Sequence, residues 1–446
     1  MKLNEAGVTL IDCDHKTPAA QASGYPYVGI PQLKDGHIRL DGARLISEED
    51  FVLWTKKAKP QLNDVILSRR CNPGESAYVP DSLEIALGQN LVLLRSDGSV
   101  IYPPFLRWLV QGNEWWEQVN KFLNVGAVFN SLKCNDIPNF KLTIPSLKEQ
   151  KRITDILSGL DKKIELNNKI NQNLESIAQA IFKSWFIDFD PVRAKIAAKQ
   201  EGKDPELAAM CAISGKSEAE LKQMSEEDFA ELQATATLFP DELVESELGE
   251  VPKGWELQQF KDIAKYTSNK ISLNDLTLEN YISTENMLSE KKGIEKASSL
   301  PKVNSVPAFK KGNILVSNIR PYFKKIWFSS SEGGHSNDVL NFEVLEEGCE
   351  EYLYNLIYQD SFFDQMMASS KGSKMPRGDK KAIMSFQVVI PSITLRRLYS
   401  RKVEKFYFKK NVIEKENQIL KIIRDTLLPK LLSGEINVSS LKDKVE

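Results

Sequence analysis

Long hydrophobic runs are missing from this chain: no window approaches the roughly 18 uncharged apolar residues of a membrane-spanning helix. Cysteine is scarce. The five copies, at positions 13, 71, 134, 211 and 349, are scattered and odd in number, which fits a reducing cytoplasm and not a disulfide framework. Three histidines and no Cys-x-x-Cys pattern leave little material for a zinc site. The opening Met1-Lys2-Leu3-Asn4-Glu5 has neither the basic start nor the apolar core of a secretory signal. The rest is ordinary globular composition, 41% hydrophobic and 27% charged over 446 residues. That excludes disordered and fibrous classes and is long enough for two or more domains. A soluble cytoplasmic protein is expected.

The net charge of −2 hides an asymmetry. From Asp188 to Glu250 there are 16 acidic residues against 6 Lys and Arg, so this stretch carries −10 and the remainder +8. An acidic connector between mildly basic bodies is consistent with nucleic-acid contact by those bodies, and equally with a solvated linker.

Two segments repeat without a gap at an offset of 246 residues. Ile144-Pro145-Ser146 matches Ile390-Pro391-Ser392, and Asn171-Gln172 with Leu174 matches Asn417-Gln418 with Leu420. Ile-Pro-Ser reads as a helix entry: proline fixes its own φ and extends the residue before it, and serine supplies a capping oxygen. Each entry leads into a long charged helix. In heptads the first places Ile153, Ile156, Leu160, Ile170, Leu174, Ile177 and Ile181 on the seam, with Asn167 at a register-fixing polar position. The second carries Val403, Phe406, Ile413, Leu420, Ile423 and Leu427, and is expected to stop at Pro429 and Gly434. One such stripe would suit a helix lying on a core; two matching stripes point to a coiled-coil pair. Upstream, Tyr27-Val28-Gly29-Ile30 resembles Tyr281-Ile282-Ser283-Thr284, and Asn63 to Ser68 resembles Gly312 to Ser317. Each globule is expected to be mixed α/β, with short strands followed by helix (Phe105 to Phe122; Tyr352 to Met367).

Strings that imitate catalytic motifs fail on chemistry. Gly215-Lys216-Ser217 lacks the opening glycine of a phosphate loop, since position 210 is Met210. Tyr102-Pro103-Pro104-Phe105 puts a hydroxyl where an amino-methyltransferase box needs a carbonyl. Pro80-Asp81 with Glu84 is followed by Ala86, not the lysine of a nuclease site. No catalytic or metal-binding residues are expected. Binding signals are stronger. Loops after the matched strands carry Arg69, Arg70 and Asn72 in the first copy and Asn318, Arg320, Tyr322, Lys324 and Lys325 in the second. A later loop in each copy, Gly126 to Lys133 with Asn130, and Ser370 to Arg377 with Lys371 and Lys374, adds further Lys, Arg and Asn. These are the residue types for phosphate contact and base-edge readout, although singly they also serve plain solubility.

The arrangement resembles the specificity (S) subunits of type I restriction-modification systems. The similarity is carried by Ile144-Pro145-Ser146-Leu147-Lys148-Glu149-Gln150, by Phe182 through Val192, by Leu248-Gly249-Glu250-Val251-Pro252-Lys253-Gly254-Trp255, and by Leu427 through Ile436. The first globule lacks the Leu-Gly-x-x-Pro-x-Gly-Trp opening, and the second helix has Thr394-Leu395-Arg396 where the first has Lys148-Glu149-Gln150. The resemblance implies an α+β fold: two mixed α/β target-recognition domains separated by two long helices packed as an antiparallel coiled coil. The divisions expected are 1–143 and 248–389 for recognition, 144–187 and 390–436 for spacer helices, 188–247 for the acidic linker and 437–446 for a tail. It implies a non-catalytic reader of double-stranded DNA, with two methyltransferase and two restriction/translocase subunits as partners. S-adenosylmethionine, ATP and Mg would sit on those partners and no cofactor on this chain. Trp185, Phe186 and Phe189 are candidates for partner docking, because aromatic residues are enriched at interfaces, and equally for a locally buried helix terminus. A helix from Ser146 to Phe186 would extend about 60 Å at about 1.5 Å per residue, a plausible ruler between half-sites. A coiled-coil adaptor with two protein- or glycan-binding globular domains is the rival reading.

Overall fold

Val65–Ser68 is apolar on both faces and buried throughout, the signature of a strand lying between two cores. The computed structural model, which describes residues 1–438 apart from 15, 127, 128 and 373, places it at the centre of an antiparallel sheet. The strand order is Val8–Asp12, Leu91–Ser96, Val65–Ser68, Ser76–Tyr78. Val65, Leu67, Val92 and Leu94 pack into one apolar cluster, and Ile66, Leu91 and Leu93 into another on the opposite face. The matched segment repeats this plan. Ile314–Ser317 is central in the order Ala264–Tyr266, Val339–Val344, Ile314–Ser317, Ile326–Phe328. There Ile314, Val316, Leu340 and Phe342 face one core, and Leu315 and Val339 the other. Tyr27-Val28 and Tyr281-Ile282 each enter a parallel pair, with Ala86–Leu87 and with Gly334–His335.

The chain divides into two units. One is Met1–Asn167 together with the stretch from Lys415; the other is Asn168–Glu414. The long helices, Leu147–Phe186 and Ile393–Leu432, contribute a part to each. Within each unit the two helix segments run antiparallel. In the first, Asp161 meets Arg424 at 2.9 Å and Asn167 donates to Asn417 at 2.8 Å. In the second, Glu175 meets Lys410 at 2.6 Å and Tyr399 donates to the Ala178 carbonyl at 2.9 Å.

The helix entry is built as Ile-Pro-Ser suggested. The Ser146 amide donates to Glu149 at 3.0 Å while the Glu149 amide donates to Ser146 Oγ at 3.4 Å, a reciprocal cap. Gln150, fully buried, accepts from the Tyr102 amide at 2.7 Å and donates to the Val100 and Pro145 carbonyls at 2.8 Å each. It ties the helix to its globule with no unused polar atom. In the second copy Arg396 takes this place, donating to the Pro391 carbonyl at 3.2 Å and pairing with Glu346. The sequence departure therefore exchanges an amide for an ion pair and keeps the joint.

Four sequence expectations change. The seam keeps Ile153 and Asn167 of the heptad assignment but elsewhere lies one position round from it: Leu157, Ile164, Asn171, Ala178 and Phe182 are buried, whereas Ile177 is 46% exposed. The globules pack on the neighbouring helix face and draw the apolar stripe towards themselves. Pro429 does not stop the second helix, which runs to Leu432. Proline forfeits only its own N–H there, and the turn closes at Gly434, in a left-handed conformation at φ 76°. The acidic stretch is folded, with helices Asp190–Gln200, Pro205–Ser214, Glu218–Leu221 and Glu226–Thr237. It has an apolar centre of Ala209, Met210, Leu221, Leu232 and Ala236, and its carboxylates coat the outside. Gly215 ends one of these helices and Ser217 caps the next.

Trp185, Phe186 and Phe189 are not a docking face. They are 1%, 6% and 8% exposed and sit in the core of the second unit. Trp185 packs edge-on to Phe239, and Phe186 against Tyr352 and Tyr399. The helix end is buried by the folded acidic segment, the alternative that the aromatic run also allowed. Trp185→Ala should therefore lower the stability of the free chain by about 3–5 kcal/mol, read as an earlier urea midpoint; a docking residue would leave that midpoint unchanged.

Candidate nucleic-acid interface

Each central strand ends in a serine that turns the chain into a basic loop. Ser68 Oγ donates to the Arg70 carbonyl at 2.8 Å, and Ser317 Oγ to the Ile319 carbonyl at 3.1 Å. The loop feet are closed alike: the Ser68 amide donates to the Glu75 carbonyl, and the Ser317 amide to the Lys325 carbonyl. A second loop then bridges to the first in both copies, Arg70 with Ser131 and Ile319 with Arg377. The two loops singled out from sequence, about 60 residues apart, thus form one surface in each unit. Ala127, Val128 and Ser373 of the second loops, and the tail from 439, lie outside the described residues.

In the first unit Arg70, Asn72, Asn130 and Lys133 are exposed. Among the described residues Arg70 and Lys133 form no ion pair, and Asn72 donates to Glu75 at 3.2 Å. Arg69 differs: its side chain is 13% exposed and lies 3.9 Å from Asp12, so it belongs to the loop's foundation. Gly74, at φ 99°, lets the loop close against Trp116 and Val119, where a Cβ would meet ring atoms at 2.7 Å. The Trp115 indole donates to its carbonyl at 3.2 Å.

The second unit is more neutralised. Lys324 pairs with Asp360 at 3.0 Å, Lys371 with Asp379 at 2.6 Å and Arg377 with Asp338 at 3.1 Å. Hydrogen bonding to the carboxylates raises the Lys324 and Lys371 pKa values. Lys325 is half-buried, donates to the Thr284 carbonyl at 2.6 Å and has its pKa pushed down by burial. Tyr322 is exposed, and Lys374 is exposed without an ion pair among the described residues. Arg320 sits in the left-handed region at φ 50°. Its Nε, with Asn318 Oδ1 and Ser336 Oγ, is buried without a partner; such unspent polar atoms concentrate at binding sites.

Sequence reading missed the cleft beside this loop. It has a volume of about 300 Å³ and is lined by Ser283, Thr284, Asn286, Lys296, Ser336 and Asp338 among others. Its signal was the Ser-Thr-Glu-Asn run after the matched Tyr281-Ile282. Among the described residues no group of His, Cys, Asp and Glu could hold a metal ion, and no helix is long and apolar enough to cross a membrane.

Comparison with known proteins gives these surfaces a context. Residues 12–176 match the family model described as the type I restriction modification DNA specificity domain. The type I restriction enzyme HindI specificity subunit of Haemophilus influenzae is 32% identical over 83% of this chain and 86% of its own. The MjaIX specificity subunit of Methanocaldococcus jannaschii is 26% identical over 90% of this chain and 83% of its own. Among solved structures, the S subunit from M. genitalium aligns over 97% of this chain and 95% of that one, at 15% identity and a TM-score of 0.48. The 32% identity with the HindI subunit over more than four-fifths of both chains means that the chain belongs to the specificity subunits of type I restriction enzymes.

Proposed function

We infer that the chain selects the DNA sequence for a type I restriction-modification complex, with its two recognition domains reading the halves of a bipartite, asymmetric site. The observation that carries this reading is the duplicated pair of bridged loops, each on the open end of the same strand of the same sheet. Arg, Lys and Asn on such a surface contact phosphates and base edges. The chain is a subunit of choice and assembly and not of catalysis. Its partners are methyltransferase and restriction subunits, which we propose to be two of each, with S-adenosylmethionine, ATP and Mg held by them. A cytoplasmic location follows from the same reading. Recognition by 1–143 and 248–389, with the long helices as spacer, is the division we propose.

The loop residues separate into three groups. Arg70, Asn72, Asn130, Lys133, Tyr322 and Lys374 are free to meet DNA directly. Lys324, Lys371 and Arg377 have to exchange carboxylates for phosphates, while Arg69, Asn318 and Lys325 shape the surface. Docking of the methyltransferase subunits is better supported by the second long helix than by the buried aromatic run. That helix leaves Phe408 and Val412 exposed in the second unit and Ile419 and Ile422 in the first, at heptad-like spacing. The adaptor alternative gains nothing specific from the structure.

Three outcomes test this. In complex with the methyltransferase subunit, Arg70→Ala, Lys133→Ala and Lys374→Ala should each reduce the slope of log affinity against log salt by about 1, measured by duplex anisotropy titration; Lys371→Ala should change it less. Salt-independent binding would favour the adaptor. Replacing Phe408 and Ile422 together by Glu should abolish co-purification with the methyltransferase subunit and leave the thermal midpoint of the free chain unchanged. Inserting one heptad in each long helix adds about 10 Å, so methylome mapping should find the unread spacer about three base pairs longer and both half-sites unaltered.

A further inference from the structure

The first unit contains a buried carboxylate that serves no loop and no cap. Asp161 lies on the first long helix with its side chain 5% exposed. Its two oxygens face different bodies. Oδ2 is paired with Arg107, from the globule's helix Pro103–Leu109, and stands 3.4 Å from Nε2 of His37. Oδ1 accepts from Arg424 of the second long helix at 2.9 Å. The globule and both helices of the unit therefore meet on one residue.

We propose that Asp161 is a positioning residue that fixes the seat of the first recognition head on its helix pair, and thereby the spacer that the complex accepts. This rests on the reading of the chain as a bipartite DNA reader.

Three observations support the assignment. First, the connection reaches the reading surface. Arg107 stacks over the Tyr78 ring at 3.7 Å. Tyr78 ends the strand Ser76–Tyr78, which leaves the loop carrying Arg70 and Asn72 and pairs with Val65–Ser68. Second, the arrangement is directional. An apolar contact tolerates sliding by an ångström or so, whereas a carboxylate shared between two guanidinium groups is satisfied in one alignment only. Burial opposes the charge, yet hydrogen bonding with His37, the Arg107 charge and the hydrogen bond from Arg424 hold the carboxyl well below the usual carboxylate range. A buried ion pair adds little stability over an apolar substitute of equal volume, so its use here is better explained by alignment. Third, the second unit uses different chemistry. Tyr407 stands 246 residues after Asp161 and makes a neutral bond to Asn355 of its own globule's helix, at 2.9 Å. The carboxylate that joins globule and helices there, Glu175, accepts from Tyr354 at 2.9 Å and from Lys410 at 2.6 Å, a phenol and an ammonium in place of two planar guanidinium forks.

The test uses the complex with its methyltransferase subunit and duplexes carrying the mapped half-sites at the native spacer and at one base pair more or less. In Asp161→Asn, the preference for the native spacer should fall about tenfold or more, as expected when positioning is lost, with both half-site sequences unchanged. His37→Gln, which removes only a head-side contact, should shift the same ratio in the same direction by less. Leu157→Ala, a core truncation on the same helix, should lower the thermal midpoint and leave the ratio alone. If Asp161→Asn proves too unstable to assay, the His37→Gln ratio decides. A wild-type ratio in the assayable variant, or an equal change in Leu157→Ala, overturns the assignment. Failure of the wild-type complex to methylate any bipartite site would instead overturn the functional reading.

Discussion

The hydrogen bond from Asn167 to Asn417 closes a loop of 250 residues, and the first unit depends on it. An amide pair buried on a helix seam is satisfied in one register and one direction. With that register set, Arg424 arrives opposite Asp161, and Leu428 and Leu431 arrive in the apolar cluster that also holds Ile153, Leu157 and the sheet residues Val65 and Leu67. The core of a globule that begins at Met1 is completed by Leu428, Leu431 and Val438 at the far end of the described chain, so the order of elements in sequence conceals how the unit is built. The second unit is a more conventional run of chain, Asn168–Glu414, and its seam is dominated by Ala178, Phe182, Tyr399 and Val403.

Much of this was legible in the residues. The 246-residue repeat located both helix entries, and the looser matches upstream located both central strands and the loops after them, because serine caps, prolines and all-apolar strands are local signals with local causes. Asn167 stood out as a polar residue on an apolar stripe. What was not legible depended on neighbours distant in sequence. Ile177 fits a heptad and is exposed, since the globule competes for the adjacent face. Trp185 and Phe186 look like an interface until the acidic segment is known to fold over them. The loop lysines read as equivalent positive charges, but Asp338, Asp360 and Asp379 neutralise several and leave others free, which only tertiary placement decides.

The duplication is thus close in backbone and loose in chemistry. The strand order, the serine turns and the bridged loops coincide, while the joints between globule and helix differ in chemistry. At the seat, Asp161 is shared by Arg107 and Arg424 in the first unit, and Glu175 by Tyr354 and Lys410 in the second. At the helix entry, the first unit has the amide of Gln150 and the second the ion pair of Arg396 with Glu346.

That last difference makes each globule keyed to its own rod. Gln150 is matched to main-chain carbonyls at Val100 and Pro145, Arg396 to a carboxylate at Glu346. Grafting the second globule onto the first helix would leave the partly exposed Glu346 carboxylate without its counter-charge, and the reverse transplant would strand the buried Arg396 guanidinium, the costlier of the two defects. Shuffling a globule within its own slot keeps lock and key together. A globule moved within its own position meets the partner groups its joint was built for, and one moved to the other position does not.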